Sequence, residues 1–109
     1  SLDFQTRSAG TRASAMFIDE FRRVGIGTNS PSAKLHVFSN TTDSTVRIES
    51  AFSEARLHMN SVAGDDSYIL MAEGGVSKYL QRYDASENEF EIYNYTAAEY
   101  SLVIDDSTN

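Results

Sequence analysis

Residues 24–37 read VGIGTNSPSAKLHV, and the way this stretch is read decides the fold. Val24, Ile26 and Thr28 alternate with Gly25 and Gly27. The chain's only proline, Pro31, then precedes a second alternating run, AKLHV. In an extended backbone the three larger side chains point to one side and the two glycines to the other. Glycines beside a polar turn also raise the possibility of a phosphate cradle, but the pattern is incomplete. Ser30 stands where the third glycine of G-x-G-x-x-G would fall counted from Gly25, and no Gly-Lys-Ser/Thr ending follows. The stretch therefore reads as a strand with one bare face, a turn at Pro31 and a second strand.

Composition limits what surrounds it. The chain has 109 residues, enough for one domain or one repeat unit of something longer. Sixteen acidic residues against nine basic ones give a formal charge of −7, which opposes binding to nucleic acid or to an anionic membrane. Arg7, Arg12, Arg22 and Arg23 collect early but form no unbroken basic run. The longest apolar run, Tyr68 to Ala72, is far too short to span a bilayer, so no membrane insertion is expected. With no cysteine, disulfides and thiolate metal sites are excluded.

Period-2 alternation dominates the rest. Leu35/Val37, Val46/Ile48, Ala55/Leu57/Met59 and Phe90/Ile92 each alternate with polar neighbours, predicting half-buried strands. Turn-rich stretches fall at 40–44, 63–67, 73–75 and 84–88, so the chain reads as all-β with short, mostly antiparallel strands. Tyr68–Ala72, apolar on both faces, is expected to be the most buried strand. One segment competes: Ala13, Met16, Phe17, Glu20, Phe21 and Val24 follow helical spacing, with Thr11 as a possible N-cap. An internal match decides against the helix. Displaced by 86 residues, Asp3–Arg23 lies over Glu89–Asn109 without a gap, bringing Phe4 onto Phe90, Met16 onto Leu102, Ile18 onto Ile104 and Asp19 onto Asp105. The second copy carries Leu102, Val103 and Ile104, which favour a strand, so both copies read as strand, turn, strand ending at Asp19 and Asp105. A chain whose end repeats the start of its own unit is expected to be a little more than one repeat of an array. Residues 1–23 would close a preceding unit, and 24–109 would form one β-rich repeat running to the next joint.

The joint carries a resemblance. RVGIGTNSPSAKLHV, preceded by FIDEF and echoed by LVIDD, resembles the recurring ID-x-x-G-N-VGIGT-x-SP-x-x-KL-x-V unit of phage tail-fibre and tailspike proteins, also present in fibrous adhesin-like proteins. The likeness covers Met16–Val37 well and the remainder loosely, and departs at Glu20–Arg23, where the family has a short Ser/Gly/Asn turn. It implies a homotrimeric, intertwined fibre segment on a virion, extracellular, whose partners are two further copies of itself and neighbouring fibre segments. Under that reading Val24, Gly25, Ile26, Gly27, Thr28 and Pro31 are assembly residues, with the bare glycine face admitting the backbone of a neighbouring chain. Three copies sharing one core would offset the thin core of a single chain.

No catalytic pattern is found and no cofactor is expected. Gly-x-Ser-x-Gly is absent, and so is the Asp-x-Asp-x-Asp-Gly calcium loop around Asp65, Asp66, Asp105 or Asp106. His36 and His58 sit on polar strand faces without metal-ligand spacing. Glu87, Glu89 and Glu91 share one strand face, read as a solvated acidic edge, with a glycosidase-type acid as the competing reading. Asn40 and Asn94 match the glycosylation acceptor pattern by chance. Tyr79, Tyr83, Tyr93 and Tyr95 remain the candidate contact for a host-surface glycan, since a tyrosine offers a flat apolar face and a hydroxyl. The leading expectation is a structural spacer that presents a receptor-binding tip; the alternative is a carbohydrate-binding module built on these tyrosines.

Overall fold

A computed structural model describes residues 1–105; Asp106 and the end of the second repeat copy lie outside the described residues. The protein is all-β, with eight strands and no helix among the described residues. The chain divides into two compact units, Ser1–Ala55 and Arg56–Asn109, each holding one four-stranded sheet.

The first sheet has the order β1-β2-β3-β4, formed by β1 (Leu2–Ser8), β2 (Thr11–Ile18), β3 (Val24–Ile26) and β4 (Leu35–Val37). The segment that competed as a helix is therefore β2, a turn over Asp19–Arg23 and the start of β3, with β2 a strand as the repeat match predicts. Ala9 and Gly10 join β1 to β2 with φ of 48° and 85°. Positive φ at both central residues suits the right-handed twist of a two-residue hairpin. The expected repeat joint between residues 23 and 24 runs through this sheet, because β2 and β3 are hydrogen-bonded neighbours.

The second sheet is a meander of β5 (Ser67–Glu73), β6 (Val76–Asp84), β7 (Glu89–Asn94) and β8 (Glu99–Asp105), all antiparallel. Gly74 and Gly75, both at positive φ, turn β5 into β6. The next two loops share one device. Asp84 Oδ1 accepts the backbone N–H groups of Ser86 and Glu87, and Asn94 Oδ1 those of Thr96 and Ala97. Each side chain thus replaces a backbone turn bond, and each loop closes on a residue at positive φ, Asn88 or Ala98.

Two expectations are corrected. Val46–Ile48 and Ala55–Met59 form no strand: residues 38–66 carry no regular element, since a strand needs a neighbour to take its ladder bonds and none of the eight strands pairs there. Tyr68–Ala72 is not the most buried strand. It lies in β5 at a sheet edge, with Tyr68, Ile69, Leu70 and Met71 all exposed, because a strand apolar on both faces is buried only when both faces are covered. The neighbours are mostly antiparallel, as expected, with β3 and β4 the parallel pair. Leu80, at 8% exposure, and Pro31 are the buried apolar side chains among the described residues.

Candidate functional site

The glycine joint is built as a tight clasp. On one side of β3, Ile26, Gly25 and Val24 pair with Met16, Phe17 and Ile18 of β2; on the other, Val24, Gly25 and Ile26 pair in parallel with Leu35, His36 and Val37 of β4. Parallel neighbours usually need a crossover of a dozen or more residues. Here residues 27–34 suffice, because both strands are three residues long and the chain reverses at Gly27, whose φ is +73°. Val24 N–H donates to the Lys34 carbonyl at 2.8 Å and Phe38 N–H to the Ile26 carbonyl at 2.9 Å, fixing both ends. Pro31 is buried within the reversal, and Thr28 Oγ1 accepts the Ser30 N–H at 3.1 Å.

Both glycines are required by space. A Cβ on Gly25 would fall within 3.0 Å of the Thr28 carbonyl oxygen, and one on Gly27 equally close to that of Phe38. The close backbone approach expected from a neighbouring chain is thus made by this chain's own backbone. Thr28 is likewise not on the face of Val24 and Ile26, because β3 ends at Ile26 and the positive φ of Gly27 redirects the chain.

Asp19 organises the approach to the clasp. Its Oδ1 accepts the Phe21 and Arg23 N–H groups, both at 2.9 Å, and its Oδ2 meets Arg23 Nε at 2.7 Å. Arg22 adopts φ 60° inside this turn, and Lys34 Nζ donates to the Phe21 carbonyl at 3.0 Å. Burial alone would raise the Asp19 pKa; the Arg23 backbone N–H, its guanidinium and its charge outweigh that and hold the carboxyl below its ordinary value. Glu20–Arg23 thus make a closed turn. Asp19 was not singled out as a site residue, although its match to Asp105 in the repeat was the available signal.

In the second unit, strand parity separates the four tyrosines. Paired residues of antiparallel strands share a face. Tyr93 is paired with Leu80 and Tyr100, whereas Tyr79 is paired with Asn94 and Tyr83 with Phe90, on the opposite face. Tyr93 and Tyr95 come together, their ring centroids 5.1 Å apart and edge-on, and Tyr100 joins them at 5.1 Å from Tyr93. With Leu80 and Arg82 these three rings line a cleft of about 220 Å³. Tyr79 and Tyr83 instead hydrogen-bond Asn94 and Asn88.

Arg82 holds the polar end of that cleft. Its Nε reaches Glu91 Oε2 at 2.5 Å, Nη2 reaches Asp84 Oδ2 at 2.9 Å and Nη1 reaches Asp66 Oδ2 at 3.3 Å. Glu91 is only 3% exposed, so it is not part of a solvated acidic edge: β7 is an inner strand and Glu91 serves as the counter-ion of Arg82. The Ser86 hydroxyl, with the Glu87 and Ser86 N–H groups and Arg82, holds Asp84 below its ordinary pKa against burial. Burial, and then the charges of Glu91, Asp105 and Glu87, push Glu89 the other way. Tyr100 and Arg82 were missed in the sequence, since only the register of β6, β7 and β8 brings residues so far apart in the chain to one spot. Among the described residues no group of three His, Asp or Glu side chains is placed to hold a metal ion.

Comparison with family models finds no match to this chain, and no curated protein matches it.

Proposed function

We propose that this chain is a structural segment of a trimeric, phage-like tail fibre or spike, spacing and presenting a receptor-binding tip, with three copies intertwined about one axis. The observation that supports this reading is uncovered surface. The chain exposes 8960 Å². Two folded units of half its mass would together expose only about 7,300 Å², from the usual scaling of surface with mass. Much of what is exposed is apolar, including Phe52, Val46, Leu57, Ile69, Met71 and Ile104. Surface of this kind is covered when other chains share the core. The predicted strands within residues 38–66 fit the same reading, since no strand pairs with them among the described residues and a trimer would offer strands that could.

Native mass by light scattering tests the proposal. Three times 12.1 kDa, about 36 kDa, is the expected result for a closed threefold assembly. A folded monomer at micromolar concentration would overturn it.

One observation favours a second reading, a carbohydrate-binding module. The Tyr93–Tyr95–Tyr100 cleft sets three aromatic rings beside a guanidinium, a combination suited to a sugar ring with its hydroxyls. Glycan-array signal that is lost on Tyr93→Ala but kept on Tyr79→Ala is its expected signature, because only the former removes a wall of the cleft.

A further inference from the structure

The two copies of the internal repeat have the same irregularity at the same place. In the first hairpin Phe4 pairs with Met16 and Gln5 with Ser14, leaving Ala15 as the extra residue of a bulge on β2. In the second, Ile92 pairs with Leu102 and Tyr93 with Tyr100, leaving Ser101 extra on β8. Ala15 displaced by 86 is residue 101, so the bulges coincide. The turns differ, two residues against four, and the register is offset by two. An even offset keeps every side chain on its face: Phe4, Met16 and Ile18 share one in the first hairpin, as Phe90, Leu102 and Ile104 do in the second.

In the first copy the bulge has a use. The carbonyl of Ala15 receives the Gly27 N–H at 3.2 Å, just beyond the three pairs that join β2 to β3. A bulge strengthens the local twist and re-aims the backbone, here so that β2 can hold the glycine strand along its outer edge. In the second copy β8 is the outermost strand of its sheet, and all its residues are exposed, Leu102, Val103 and Ile104 among them. An uncovered apolar edge of this kind is a template for another strand.

We propose that the outer edge of β8 is a docking edge for the Val-Gly-Ile-Gly-Thr segment of a further copy of this repeat. That segment would pair antiparallel with Leu102, Val103 and Ile104 as Ile26, Gly25 and Val24 pair with β2, its second glycine N–H donating to the Ser101 carbonyl. The proposal rests on the fibre reading only for its tandem repeat, not for the number of chains. In the first copy five residues, Asp19–Arg23, lie between β2 and β3, and in the sequence five residues, 105–109, follow Ile104, the counterpart of Ile18. The sheet of one unit would then be completed by the first strand of the next, which is how residues 1–23 and 24–37 already share a sheet.

The test appends residues 24–37 once more after Asn109 of the full chain and follows hydrogen exchange of the β8 amides, with light scattering on the same samples. Exchange of outward β8 amides should slow about tenfold, the effect of roughly one net hydrogen bond. The slowing should disappear when the second glycine of the appended segment is replaced by proline, which has no N–H for Ser101. Unchanged exchange, equal slowing with the proline version, or β8 amides already protected in the unextended chain would each overturn the docking edge. A monomer with slowed β8 exchange would keep it while removing the trimer, and a trimer with unchanged exchange would do the reverse.

Discussion

Gly25 shows what a single residue contributes here. Its backbone is not in the left-handed region, so its requirement is steric: the Thr28 carbonyl occupies the place of a side chain. Gly25→Val should therefore destabilise the fold of the first unit itself by roughly 1–3 kcal/mol, the usual range for overpacking. Thermal melts at several concentrations check this, since the loss should persist on dilution, whereas a defect confined to chain–chain contact would not. The carboxylates give a second residue-scale prediction. Glu89 has a folded pKa above its ordinary 4.5, so the folded chain binds the extra proton and stability falls as pH rises from that value through the folded pKa. Glu89→Gln should raise the melting temperature at pH 7, with no gain left below pH 4.5. Asp19 and Asp84 have the opposite sign. Their folded pKa values lie below 3.8, so their contribution is complete above that value and is lost as pH falls through the folded ones. An acid titration of Asp84→Asn beside the parent should therefore show the two converging at low pH.

Among the elements, the hairpins and the region between β4 and β5 behave differently. β1–β2 and β7–β8 form from local pairing, with their own turn residues to close them. Their alternation and the 86-residue repeat made them readable in the sequence. Val46–Ile48 and Ala55–Met59 have the same alternation but no strand beside them among the described residues. Alternation records which side chains want cover; it does not supply the partner. Under the trimer proposal these segments gain partners on assembly. Ile48→Glu should then leave the stability of the dilute chain within about 0.5 kcal/mol of the parent, as for an exposed site. The same change should shift the monomer–oligomer midpoint, read by sedimentation, to higher concentration. A midpoint that does not move would remove residues 46–48 from the interface.

At the scale of the whole molecule, the balance of buried and exposed surface is the governing fact. With Leu80 and Pro31 the buried apolar side chains among the described residues, hydrophobic burial within one chain is small against the entropy of ordering it. Stability should therefore depend on chain concentration. The melting temperature should rise with each tenfold increase in protein, as mass action requires when folding and assembly are coupled. A melting temperature independent of concentration would mean that the two sheets stand without partners.

The all-β character, the hairpin at each end, the repeat that equates them and the need for glycine at 25 and 27 are all present in the residue order, because alternation and turn chemistry act over a few residues. The identity of the backbone that meets those glycines is not, nor are the parallel pairing of β3 with β4, the separation of Tyr79 and Tyr83 from Tyr93 and Tyr95, and the burial of Glu91 against Arg82. Each depends on strand order and register, which join residues distant in the chain. A shift of one residue in register would exchange the two faces of a strand, so only the folded sheet decides which side chains meet.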